Sequence, residues 1–251
     1  MKQGLFRCGS ADSGAMGRCL LLWLGFYLGL HVWMRLAFSS TLQVDDAEQV
    51  LHAGRLLLGY EFPQPPLYTW LTWGAFQVFG PSLAVVTAIK YLQIAALFYV
   101  TWRLSRHLFA EPLWRAAAVL SYLLLPVFAW QMHVGFTHTV MMALAMAMTL
   151  HALLSLGETR DGKRYAYLVL AIALGMYAKF GFFLYLLLLA SAALATPRYR
   201  AVLADRRMVA VLIVCLALAA PYYGWLIEHW AWFNASLAGK MAGEHRLHLG
   251  V

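Results

Sequence analysis

Polar residues in this chain are confined to short segments between long apolar runs. Runs of about 17–25 apolar residues mark membrane-crossing helices, and seven candidates follow: Leu20–Phe38, Ser82–Trp102, Ala116–Trp130, Thr137–Leu156, Tyr165–Ala178, Gly181–Thr196 and Met208–Ile227. The fifth and sixth are short and parted only by Lys179 and Phe180, so a single long tilted helix competes with two spans there. Between the first two runs, residues 44–71 read VDDAEQVLHAGRLLLGYEFPQPPLYTWL and break the pattern. On a helix over 45–58, Ala47, Val50, Leu51, Gly54, Leu57 and Leu58 share one apolar face, while Asp45, Glu48, Gln49 and His52 gather opposite. Such a helix lies along a membrane surface, apolar side down. Pro63, Pro65 and Pro66 end it, and Leu67–Leu71 begins a second amphipathic piece. The fold class predicted is all-α, a polytopic helix bundle with surface helices in a first long loop, residues 39–81, and the whole of 1–251 forming one domain.

Composition supports the bilayer. Hydrophobic residues make up 63% and charged residues 12% of the 251, and the mean hydropathy is +0.67. A soluble domain could not hide that much hydrocarbon. The net charge of +8 suggests nucleic acid until the cations are placed. With the N-terminus inside, Arg103, Arg106, Arg115, Arg160, Lys163, Arg164, Arg198, Arg200, Arg206 and Arg207 fall on the inner side. Arg35, Arg55, Lys90, Lys179, Lys240 and Arg246 are left outside. That is the positive-inside bias, so no nucleic-acid partner is needed. Joining the fifth and sixth runs would move Arg198–Arg207 outside and weaken the bias, which favours seven spans. The first run is too long for the apolar core of a signal peptide. Met16 directly precedes it and is an alternative start to Met1. Cys8, Cys19 and Cys215 form no disulfide framework.

Two readings of the acids compete. Asp45 followed by Glu48 resembles a capping arrangement, and acids in a first helical turn complement the dipole. Carboxylates in this place are also candidates for catalysis. Capping and catalysis can be divided among Asp45, Asp46 and Glu48. His138, in GFTHTVMM, can ligate a metal or, protonated, bind phosphate. Lys179 at a span end is either a functional cation or a snorkelling anchor. Arg55 reads as solvated, and Lys90 as a helix-end anchor.

The acidic pair with Ala-Glu behind it, the PPLYTWL run at Pro65–Leu71, the following FGPSLAVV and LGMYAKFG at Leu174–Gly181 resemble the GT-C glycosyltransferases of family 39. That family includes the dolichyl-phosphate-mannose protein mannosyltransferases, the aminoarabinose lipid A transferases and rhizobial galacturonosyltransferase-like proteins. The resemblance implies an inverting membrane enzyme of a bacterial inner membrane, its N-terminus cytoplasmic and its first loop periplasmic. It implies a polyprenyl-phosphate sugar donor and a lipid, glycan or protein acceptor, with membrane lipid around the bundle. Asp45, Asp46 and Glu48 become the catalytic candidates. Lys179, Gln64 and Tyr68 fall on the donor-phosphate side, Gln64 standing where the family usually carries lysine. His138 stands where the family carries an aspartate, which makes His138 with Asp45 the candidate site for a divalent metal; no organic cofactor is implied. Family members continue for further spans, so the resemblance is to an N-terminal half. A transporter, flippase or lipid-binding module is the alternative, as is an inactive fragment of the enzyme. Transporters carry broken or polar helices near mid-membrane, whereas here the spans are nearly pure hydrocarbon and the polar groups collect at the loop.

Overall fold

The computed structural model describes residues 13–60 and 63–248, with side chains over 14–60 and 63–239. The fold is all-α, and no strand occurs among the described residues. The helices are α1 (Ser13–Phe38), α2 (Val44–His52), α3 (Leu67–Phe79), α4 (Leu83–Leu108), α5 (Pro112–Leu120), α6 (Met132–Val134), α7 (Thr137–Glu158), α8 (Gly162–Ala178), α9 (Gly181–Ala195), α10 (Pro197–Leu203), α11 (Arg207–Glu228) and α12 (Trp230–His248). Helices suit lipid because each satisfies its own backbone hydrogen bonds. The protein is an integral membrane protein. Among the described residues α1, α4, α7 and α11 are long and apolar enough to cross a bilayer unaided, and the number reaches six if each of two bent helix pairs counts as one span. The segment predicted as the fifth span forms α8, whose 17 residues reach roughly 25 Å at about 1.5 Å per residue.

Packing follows the apolar spacing. In α1, Leu20, Leu24 and Leu28 recur every four residues and are the buried stripe, against Tyr91, Ile94 and Phe98 of α4. Leu22 and Phe26 between them, and Trp33 beyond, are exposed, as a lipid-facing surface should be. The middle of the bundle is α7, which packs most extensively on α8 and α4.

One predicted span is broken rather than straight. The third bends by 79° between 112–124 and 127–134. Pro126 supplies no N–H, and Leu125 before it is extended (φ −99°, ψ 120°), the conformation that a following proline enforces. Beyond the bend come a π-helical turn, Val127–Gln131, and α6, which run beneath α2. The sixth forms α9 unbroken; at its end the chain turns by 118° into α10, which Pro197 begins.

At Lys179, extended at φ −163°, the chain reverses. α8 and α9 form a hairpin, since α10 beyond it meets the far end of α7 through Arg198 Nε and the Gly157 carbonyl. The single tilted helix is thereby excluded. The hairpin closes on Gly175: a Cβ there would lie 2.2 Å from the Phe182 ring. Gly175→Ala should therefore destabilise the protein by about 1–3 kcal/mol through overpacking, read as a lowered midpoint of thermal unfolding in detergent. An unchanged midpoint would mean that the ring slides aside freely.

Cations assigned to one side in the sequence do gather at one end. Arg198 and Arg207 bond carbonyls of Gly157 and Arg160, and His107 Nδ1 pairs with Glu158 Oε1 at 2.8 Å. The acidic helix α2 sits at the opposite end, termed the loop face below.

Candidate active site

The helix predicted over 45–58 stops at His52, so Gly54, Leu57 and Leu58 belong to the loop behind it. The helix docks by a face that borders the predicted polar one and shares Gln49 with it, not by the apolar face. Asp46, Gln49 and Ala53, spaced at i, i+3 and i+7, are buried, whereas Val44 and Leu51 are 73% and 76% exposed. This face wins because polar partners wait beneath it.

Asp46 Oδ2 accepts a 2.7 Å bond from Lys90 Nζ, and both side chains are 3% exposed. Lys90 is thus no helix-end anchor. It lies about two turns inside α4 and its partner comes from another element. Gln49 is wholly buried and links three helices: its Oε1 accepts from Thr69 Oγ1 at 2.7 Å, and its Nε2 donates to His138 Nε2 at 3.0 Å. His138 Nδ1 lies 3.2 Å from the Ala178 carbonyl, an acceptor only, so the proton sits on Nδ1 and Nε2 receives the amide. Thr69, from PPLYTWL, is one reason that run lies where it does.

Asp45 is set differently. The N-cap of α2 is Gln43, with no side-chain cap bond, so the capping arrangement within this helix does not form. Asp45 Oδ2 accepts instead from the Phe136 N–H at 2.6 Å, at the entry to α7. Phe136 is left-handed (φ 58°, ψ 36°), a conformation uncommon for a bulky residue. A Cβ on Gly135 would lie 3.5 Å from the carboxylate, so the backbone approaches Asp45 closely. The partly exposed carboxylate lines a cleft of about 250 Å³ with Trp130, Gln131, Gly135 and Phe136.

Lys179 donates to Thr139 Oγ1 at 2.9 Å, one residue from His138. Burial pulls its ammonium below the ordinary lysine range, and nearby Asp45 pulls the other way. Asp45, His138 and Lys179 therefore share one mouth of the bundle. Tyr68 is fully buried, 5.8 Å from the His138 ring, and burial with the Asp46 and Asp45 charges pushes its hydroxyl far up. It stays a neutral donor. Tyr68 and the Gln64 carbonyl oxygen are turned inward and are buried without a protein partner, as is Asp46 Oδ1. Glu48 is partly exposed, on the side of α2 nearer Asp45.

His133 is held on both ring nitrogens, 3.0 Å from the hydroxyls of Tyr27 and Tyr91. As to a metal, no group of three or more His, Cys, Asp or Glu stands together among the described residues. His138 would have to surrender Gln49 to offer Nε2. The arrangement does not fit a metal at His138 and Asp45, and no chemistry below passes through one.

Residues 63–225, from the proline cluster into the last turn of α11, match the family described as dolichyl-phosphate-mannose-protein mannosyltransferase. The chain belongs to that family. The family match takes in Tyr68, Lys90, His138 and Lys179 and begins after Asp45 and Asp46. Two curated relatives align further, over 221 residues each: the lipopolysaccharide core galacturonosyltransferases RgtB, 29% identical, and RgtA, 27% identical, both of Rhizobium johnstonii. Each alignment covers 88% of this chain and 44% of the relative, so the chain spans less than half the length of either. No solved structure matches the chain.

Proposed function

We propose that the chain is the loop-bearing part of an inverting glycosyltransferase that moves a sugar, of the uronic acid class, from a polyprenyl phosphate to a lipopolysaccharide core acceptor. Asp45 carries the reading, as a fixed carboxylate on an open cleft with a cation, Lys179, at the same mouth. The acceptor hydroxyl gives its proton to Asp45 as its oxygen bonds the anomeric carbon. The bond from that carbon to the phosphate oxygen breaks, and the lipid phosphate departs with its electron pair toward the Lys179 ammonium. A base contributes by geometry first, within hydrogen-bond reach of the proton. The Phe136 N–H occupies one oxygen of Asp45, which fixes the direction of the other. Preorganised positive charge where charge develops is the larger contribution. Asp46 and Lys90 act as scaffold, placing α2; Tyr68 and Gln64 offer buried polar atoms on the inner side of α2. The names of the two relatives support the sugar and acceptor classes.

The direct test is transfer from a polyprenyl-phosphate uronic acid to lipopolysaccharide core in membranes holding the chain, alone or within any longer chain that includes it. Product in neither case would end the reading. The loop face should be periplasmic. A cysteine in place of Leu51, which is 76% exposed, introduced into a variant lacking Cys8, Cys19 and Cys215, should react with an impermeant maleimide in spheroplasts. Reaction only after lysis would invert the topology.

A further inference from the structure

A second and larger hollow on the loop face, about 570 Å³, shares no lining residue with the Asp45 cleft. It lies between residues 51–60 and the junction of α11 with α12. Its walls are tied. The Tyr60 hydroxyl donates to the Arg55 carbonyl at 2.9 Å and accepts from the Leu57 N–H at 3.2 Å. Trp70 Nε1 donates to the Leu57 carbonyl at 2.7 Å, joining the loop to α3. The Trp225 ring presses on Gly59, where a Cβ would fall 1.9 Å from it. Only glycine lets loop and helix meet that closely.

The lining has a definite chemistry. Trp225 stacks on His229 at 4.5 Å and 20°, and Trp232 stands edge-on to Trp225 at 6.0 Å. Flat π faces of this kind suit the C–H faces of sugar rings. Arg55 is exposed at the rim and His52 lies beside it. Among the described residues that line the hollow, none is an aspartate or glutamate. A guanidinium suits a carboxylate or phosphate, which its fork can grip with two bonds.

We propose that this groove binds an anionic saccharide, and that in the enzyme it holds the charged part of the acceptor while Asp45 addresses the hydroxyl. The acceptor role rests on the glycosyltransferase reading; the binding does not. The protein in phosphatidylcholine nanodiscs would be titrated by calorimetry with trigalacturonate and with neutral maltotriose. Trigalacturonate should bind saturably, at least tenfold tighter than maltotriose, and at least tenfold more weakly to Arg55→Gln and to Trp232→Ala. Absence of saturable binding, or binding unchanged in both groove variants, would overturn the proposal. So would retention of phosphatidylglycerol that Arg55→Gln abolishes, in native mass spectrometry, with no trisaccharide bound, because the groove would then serve a lipid headgroup. Saccharide binding, with no sugar transferred by the chain alone or by a longer chain that includes it, would uphold the groove and defeat the enzyme reading. Transfer unimpaired in Arg55→Gln, despite lost trisaccharide binding, would remove the acceptor role.

Discussion

Asp45→Asn is expected to lower sugar transfer by about 10²–10⁴-fold, the usual contribution of a general base, with the protein still folded and inserted. The substitution is clean because the amide oxygen can still accept from the Phe136 N–H, which Asp45 holds at 2.6 Å. The left-handed entry to α7 therefore keeps its partner, and what disappears is the proton-accepting charge. Glu48→Gln serves as the control on the same helix and should change transfer little. Lys179→Gln should also impair transfer. Its loss should fall mainly on kcat, since the leaving phosphate gains charge only as the bond breaks. The measurement is initial rate against donor concentration in membranes with equal amounts of each variant. Near-normal transfer in Asp45→Asn with loss in Glu48→Gln would move the base one turn along α2. Full activity in both would leave Asp45 as the group that organises Phe136 and nothing more.

Each apolar run was legible as a helix because the bilayer imposes length and hydrophobicity together. The bends at Pro126 and Pro197 were less so. Proline signals a break, but not whether the chain afterwards continues across or turns along the surface, which packing decides. The amphipathic character of α2 was likewise visible and its docking sense was not. A two-faced helix beside a membrane can turn either face to the protein, and the choice lay with Lys90, Thr69 and His138, far away in sequence. The cation within the α4 run was the available clue, since an ionisable group inside a span needs a partner. An aspartate in the preceding loop was a candidate. Asp45, His138 and Lys179 reach one mouth because they stand at the ends of segments that alternate across the bundle. Topology alone brings such ends together. The Asp45 contact with Phe136 depends on a backbone turn that no spacing rule foretells.

The second large effect concerns Asp46 and Lys90. Removing one partner of a buried ion pair typically costs about 3–5 kcal/mol, because the other charge stays out of water without compensation. Lys90→Met would leave the Asp46 carboxylate, whose Oδ1 already lacks a protein partner, with neither oxygen paired. Asp46→Leu would strand the ammonium instead. Either variant should lose most of its monodisperse peak in size-exclusion chromatography after detergent extraction and unfold at markedly lower temperature. Replacing both at once removes the desolvation penalty along with the attraction, so Asp46→Leu with Lys90→Met should recover much of the loss. Such double replacements are often neutral or stabilising. Transfer then separates scaffold from chemistry. α2 carries Asp45 next to Asp46, and a displacement of about 1 Å at a reacting group can cost 10²-fold, so each single variant should be poorly active. A double variant that is stable and active makes the pair a positioning lock, as the burial of both side chains implies. A stable double variant without activity would put Lys90 or Asp46 against the substrate, and a Lys90→Met protein as stable as the parent would show that the pair holds nothing together.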